Sequence, residues 1–381
     1  MDVNLEVNAP WPLLGGISPA TFMKRHWQKK PLLVRQALPG VQPPLSRAAL
    51  FALAGSEDAE SRLVVQAEGG WRVRHGPLLR SALPPISRPG WTLLVQGLDL
   101  HVPAAHELLS KFCFVPAARL DDLMVSWASP GGGVGPHLDA YDVFLLQVHG
   151  RRRWRVGQVK DATLVEGVPL KLLRHFEPTE EWLMEPGDLL YLPPGWGHDG
   201  VAEGGDCMTC SIGFRAPAAG ELARELLMRL ADEGDEGASS ASALYRDPQQ
   251  PATATPGALP DGLLAFARAA LERQLAEPDA LARVFGEMLT EPKPQVWFEA
   301  GAPRRAGAVR LDARSRMLYD DRHVFINGEA LRAGGRDAGL MRRLADTRAL
   351  GAADCARLSA PAAALLDEWL AAGWLRQDDG W

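Results

Sequence analysis

Residues 130–142 read PGGGVGPHLDAYD, and a second stretch, residues 185–198, reads EPGDLLYLPPGWGH. The first offers His137 and Asp139; the second ends on His198. In an extended strand, side chains i and i+2 point to the same face, so His137 and Asp139 reach one point together. His198, arriving from another strand, completes two imidazoles and one carboxylate on one side of a cation. That ligand set, with positions left open, is the one expected of a mononuclear non-haem Fe(II) centre.

The spacing around these residues says more than the ligands alone. Gly131 lies six residues before His137. Gly187, Pro193, Gly195 and His198 follow G-x5-P-x-G-x2-H, which resembles the second motif of cupin barrels. Glycine and proline make the tight turns that end strands and aim a side chain inward. Three departures matter. A metal-binding cupin carries a second His where Asp139 stands, and a Glu four or five residues later, where Val143 and Phe144 stand here. The Asn that closes the usual second motif is replaced by Ala202. These departures favour three protein ligands over four. Either motif alone is weak, since an HxD pair is ordinarily a surface or capped pair and PPGxxH is a turn followed by a histidine. Both in this order, each at a strand end, point to a metal site.

Working outward, LDDLMVSWAS (120–129) is a strand leading into the glycine loop, and Ser126 lies on it. After the ligand pair, YDVFLLQVHG (141–150) and RRRWRVG (151–157) are expected to form a hairpin turning near His149-Gly150. Residues 182–202 and 207–217 supply the closing strands. Upstream, Ser18-Pro19 opens a helix, residues 46–53 form another, and SRLVVQA (61–67) with WRVRH (71–75) form a hairpin. Many short strands with turn punctuation predict a barrel or sandwich for residues 1–217. Residues 218–294 turn helical, with a break at Pro278, and Asn327-Gly328 marks a turn in a small α+β module at 295–381.

The strand after the ligands offers a cation. Arg152 shares a face with Trp154 and Val156, while Arg151, Arg153 and Arg155 share the other. The face with the apolar pair is interior, and a buried guanidinium requires an anion. A 2-oxo acid meets that need, its far carboxylate gripped through two parallel hydrogen bonds while its other end and O2 take the open metal positions. The predicted chemistry is oxidative decarboxylation coupled to hydroxylation of a substrate carbon.

Bulk properties bound the rest. The chain has 381 residues, 46% of them hydrophobic, enough for two or three domains. A net charge of −6 gives no electrostatic case for nucleic acid. No apolar run approaches a membrane span, and the first residues lack the signal-peptide pattern, so the cytoplasm is expected. Four cysteines are too few for a disulfide framework. Cys207 and Cys210 are three apart on one predicted strand, face opposite sides, and read as core thiols.

Together, the PGGGVGPHLDAYDVF run, GRRRWRVG, the EPGD-x-LY-x-PPG-x-x-H motif, SIGFRAP, and HWQKKP and SRLVVQA upstream resemble the bacterial Jumonji-C ribosomal oxygenases, most closely their arginine-hydroxylating branch. The resemblance covers most of the first 217 residues and weakens beyond. It implies a Jumonji-C double-stranded β-helix, a helical dimerisation segment and a winged-helix-like C-terminal domain. It implies Fe(II) at His137, Asp139 and His198, 2-oxoglutarate at Arg152 with Ser126 bordering its pocket, and a homodimer. The implied substrate is an arginine of a large-subunit ribosomal protein, hydroxylated at its β-carbon. Asp121, Asp122, Tyr141 and Asp142 surround the ligand strand as acceptors for such a guanidinium, and spacing does not choose among them. Three other readings stay open: a histidine hydroxylase of a ribosomal protein, a cupin metalloenzyme not using 2-oxoglutarate, and a scaffold that has lost its chemistry.

Overall fold

A computed structural model describes residues 6–68, 70–236, 244–252, 255–301 and 307–378. Contacts group the chain into two units: Met1–Ala216 with Lys293–Trp297, and Pro217–Pro292 with Phe298–Trp381. The helical segment and the C-terminal module, expected as separate domains, thus fall in one unit.

The first unit is built on nine antiparallel strands: β1 (Leu32–Val34), β2 (Ser61–Ala67), β3 (Gly70–His75), β4 (Trp91–Val95), β5 (Leu120–Ala128), β6 (Asp142–Gln158), β7 (Glu180–Met184), β8 (Leu189–Leu192) and β9 (Trp196–Phe214). They run in the order β1-β8-β6-β9-β5-β4-β2-β3, with β7 on the far half of β6. Helices α1 (Pro19–Arg25) and α2 (Arg47–Leu53) start where the sequence marks them, and α3 (Pro103–Ser110) lies between β4 and β5. The Ser18 and Ser46 hydroxyls each accept from a backbone N–H three residues on, at 3.2 Å.

The hairpin expected at His149-Gly150 does not form. Residues 142–158 are one strand, paired along its length with β9 from Asp142↔Phe214 to Gln158↔Trp196. Gly150 does have the positive φ of a turn glycine, 61°, yet the chain continues across it. The register with β9 shifts on both sides of His149, and a Cβ at Gly150 would lie 2.1 Å from the Asp206 carbonyl oxygen. The glycine therefore serves a bulge, which bends a strand without reversing it. The bulge also changes parity. Val143 and Leu145 before it and Trp154 and Val156 after it pack into one cluster, whereas Phe144, Leu146 and Val148 face the main core with Phe22, Trp127, Tyr191 and Phe214.

The second unit holds α4 (Ala219–Glu236), α5 (Asp261–Ala276) and α6 (Ala280–Thr290), the break between the last two falling at Pro278. Two three-stranded sheets follow, β14-β10-β15 and β11-β12-β13. They comprise β10 (Ala308–Leu311), β11 (Met317–Tyr319), β12 (His323–Ile326), β13 (Glu329–Arg332), β14 (Ala349–Leu350) and β15 (Leu375–Asp378), and the helices among them are α7 (Gly335–Thr347), α8 (Ala352–Cys355) and α9 (Ala360–Ala371). Asn327 and Gly328, with φ of 49° and 92°, turn the β12–β13 hairpin. Leu344, Leu366, Trp369 and Ile326 centre its core. Among the described residues no helix is long and apolar enough to cross a membrane.

Candidate active site

His137 and His198 lie 61 residues apart in sequence and directly opposite in space. They form an isolated antiparallel bridge, each N–H donating to the other's carbonyl at 3.0 Å. A pair bonded both ways places its side chains on one face, and the imidazole centroids are 4.2 Å apart. Asp139, two residues beyond His137, brings Oδ2 to 3.5 Å from His198 Nε2 and 3.9 Å from His137 Nε2. One ligating atom from each residue lies within 4.8 Å of the others.

The backbone sets which nitrogen is free. His137 Nδ1 lies 2.9 Å from the Gly135 carbonyl and His198 Nδ1 lies 3.3 Å from that of Trp196. With the ring proton on Nδ1 and donated there, each Nε2 keeps a lone pair for a cation. Burial, then the neighbouring His137, lowers the His198 pKa to about 4, against the opposing pull of Asp139. His198 is thus neutral at physiological pH, the form that binds metal. Two imidazoles and a carboxylate facing a cavity fit an iron ion.

That cavity, about 390 Å³, is lined by the triad, by Arg152, Ser126 and Trp154, and by apolar side chains of β2, β4 and β6. Arg152 is 2% exposed. Its Nη1 donates to Ser126 Oγ and its Nη2 to the Gly200 carbonyl, both at 3.1 Å. Its Nε is buried without an acceptor, and no carboxylate among the described residues pairs with it. The guanidinium carbon stands 4.9 Å from the Trp154 ring centroid, a cation–π contact. Gly200 has no side chain for good reason: a Cβ there would lie 2.6 Å from the Trp154 ring and 2.7 Å from Arg152 Nε. The result is a held cation that no carboxylate among the described residues neutralises, the arrangement that fits a ligand carboxylate.

Of the four acceptors considered for a substrate guanidinium, only Tyr141 lines the cavity. Asp142 is buried on the other face of β6, accepting from Tyr191 Oη at 2.6 Å and Gln28 Nε2 at 3.0 Å. Asp122 accepts from the Gly97 N–H and Lys293 Nζ, at 3.0 and 3.1 Å. Asp121 pairs with Arg215 at 2.8 Å and Lys293 at 3.3 Å. The bulge in β5 between Leu120 and Leu123 takes this stretch out of simple alternation. Arg62, which the sequence reading passed over, also lines the cavity. The signal that marked Arg152, an arginine on an apolar strand face, was present in Arg62 with Val64. Cys207 and Cys210 sit in different clusters, and burial pushes both thiols up.

Comparison with known proteins agrees with this geometry. Residues 107–222 match the JmjC domain family, and residues 271–376 match the ROXA-like winged helix family. The chain is 36% identical over 357 residues to the ribosomal protein uL16 3-hydroxylase of Escherichia coli, covering 89% of both chains. It is 41% identical over 206 residues to a probable ribosomal oxygenase of Haemophilus influenzae, covering 53% of this chain and 50% of that one. The crystal structure of E. coli YcfD superposes with a TM-score of 0.83 at 30% identity, covering 94% of this chain and 97% of that one. YcfD in complex with cobalt and 2-oxoglutarate superposes at 0.79, with 30% identity, covering 95% and 98%. From its nine-stranded sheet, its paired motifs and the matches to the uL16 3-hydroxylase and YcfD, which span 89% or more of both chains, the chain belongs to the bacterial JmjC-domain ribosomal oxygenases.

Proposed function

We propose that this protein is an Fe(II)- and 2-oxoglutarate-dependent hydroxylase that uses O2 to hydroxylate the β-carbon of an arginine in the large-subunit ribosomal protein uL16. One observation carries the reading: a buried, unneutralised Arg152 in the cavity whose wall presents His137, Asp139 and His198. These three residues would hold iron, which when bound supplies the oxidative chemistry that couples 2-oxoglutarate decarboxylation to substrate hydroxylation. Arg152 grips the far carboxylate of 2-oxoglutarate, Ser126 fixes the plane of the guanidinium, and Trp154 supports it from one face. A uL16 substrate, the arginine of the family resemblance, is favoured over the histidyl-hydroxylase reading because the match to the uL16 3-hydroxylase covers 89% of both chains, whereas a relative named as a histidyl-hydroxylase matches 50% of this one.

The working assembly in this reading is a homodimer in the cytoplasm. Helix α5 leaves Leu264, Leu271 and Leu275 about half exposed or more, at 48%, 60% and 53%. A second copy of the chain is the partner that would cover them.

The deciding experiment incubates the protein with Fe(II), 2-oxoglutarate and ribosomal proteins, admits oxygen, and follows intact masses and succinate. The expected result is the gain of one oxygen atom on uL16 with matching succinate. No gain on any ribosomal protein, with succinate also absent, removes the hydroxylase reading.

A further inference from the structure

The cavity has a closed end and an open end. At the closed end Arg152 and Ser126 are 2% and 5% exposed; at the open end Tyr141 is 40% exposed, with half-buried Arg62 and exposed Lys171 beside it. The triad lies between, His198 buried and His137 and Asp139 partly exposed. A polypeptide substrate therefore enters past Tyr141 and Arg62.

Arg62 sits on β2 opposite Leu94 of β4, and Leu94 stands opposite Ser126 of β5. Two strand spacings, roughly 10 Å, separate its position from the serine that holds Arg152. It is thus a second cation, at the other end from the co-substrate. The Arg62 side chain makes no hydrogen bond or ion pair among the described residues, and its Nε is buried without an acceptor. The side chains of its cavity neighbours Val64 and Leu94 have no polar atoms to offer, and Tyr141, close enough to feel its charge, leaves the Nε unpaired. A guanidinium N–H withdrawn from water and left unpaired, as the Arg62 Nε is, is destabilising until an acceptor arrives. An arginine side chain of a substrate carries donors only, and the same charge, so it is not that acceptor.

We infer that Arg62 binds the polypeptide substrate, donating from its guanidinium, the unpaired Nε included, to main-chain carbonyls beside the target residue. It acts on the substrate's backbone, and what Tyr141 and the triad face is the target side chain. This rests on the reading of Arg152 as the co-substrate residue.

The test uses the full chain loaded with Mn(II) and 2-oxoglutarate without oxygen, and a fluorescent uL16 peptide carrying the target residue. Arg62→Leu should weaken peptide binding about tenfold or more, as expected for loss of a charged hydrogen bond, and leave 2-oxoglutarate affinity unchanged. Arg62→Lys, which keeps the charge without the fork, should recover part of the loss. Replacing the flanking peptide amide by an ester weakens the carbonyl acceptor, so it should penalise the wild type more than Arg62→Leu. Unaltered peptide affinity in Arg62→Leu, or an equal ester penalty in both proteins, overturns the inference. So does a loss of 2-oxoglutarate binding in Arg62→Leu, which would place the residue with the co-substrate. Arg152→Met is measured alongside: if it still binds 2-oxoglutarate normally, the underlying reading fails whatever Arg62 does.

Discussion

His137 and His198 exchange both main-chain hydrogen bonds, each N–H reaching the other's carbonyl at 3.0 Å. The ladder itself, rather than side-chain packing, brings the two imidazoles together. Removing one ligand side chain should therefore leave the fold in place.

Asp139→Ala tests this. A metal that binds only the folded state stabilises it, by about 2.7 kcal/mol at a concentration one hundred times Kd. Added Fe(II) or Co(II), without oxygen, should raise the melting temperature of the wild type by several degrees. The variant should fold, melt near the metal-free wild type, and show almost no shift. An equal shift in both proteins would place the metal elsewhere.

Arg152→Met separates stability from function. A buried charge without a partner is costly, and an apolar replacement of similar length is often neutral or stabilising. The metal-free variant should melt no lower than the wild type, yet bind 2-oxoglutarate at least tenfold more weakly. Gly200→Ala should weaken the same binding with the cation still present, because its methyl group meets Trp154 and Arg152 at 2.6 and 2.7 Å. Calorimetric titration under nitrogen reads both, and full affinity in Arg152→Met would refute the assignment.

Asp99 gives a pH signature. It is 5% exposed, and burial, with repulsion from Asp122, raises its pKa from 3.8 to about 6 despite the Leu123 N–H and Lys293. Between those two values the folded chain holds a proton that the unfolded chain has lost, so stability falls as pH rises through the window. Asp99→Asn retains an acceptor for the Leu123 N–H and removes the charge. At pH 8 it should be more stable than the wild type, by at most about 3 kcal/mol, and the advantage should vanish below about pH 4. Denaturant titrations at several pH values check it; a variant less stable at pH 8 would show that the Lys293 attraction outweighs the burial cost.

Leu271→Glu addresses assembly. At 60% exposure in the single chain, the substitution should cost the monomer little. Within a dimer that covers α5 it buries a charge and should shift the equilibrium to monomer. Sedimentation velocity distinguishes the two; identical sedimentation of both proteins would exclude α5 as the contact.

The amino-acid sequence by itself determined the parts of this protein that local periodicity encodes. His137 and Asp139 had to share a face, the PPGWGH turn had to deliver His198 at a strand end, and Arg152 had to point inward with Trp154 and Val156. Ser18, Ser46 and Asn327-Gly328 marked helix starts and a hairpin for equally local reasons. Only the tertiary structure decided whether Gly150 was a turn or a bulge, because a positive φ serves both and the choice depends on β9 being present to pair across it. It likewise decided the fate of the carboxylates. Asp142 is held by Gln28 and Tyr191, and Asp122 by Lys293, residues 114, 49 and 171 positions away. Partners so distant in sequence leave no periodic trace along the chain; they appear only when strand pairing sets which faces meet, and that pairing also left Arg62 in the cavity wall with its Nε unpaired.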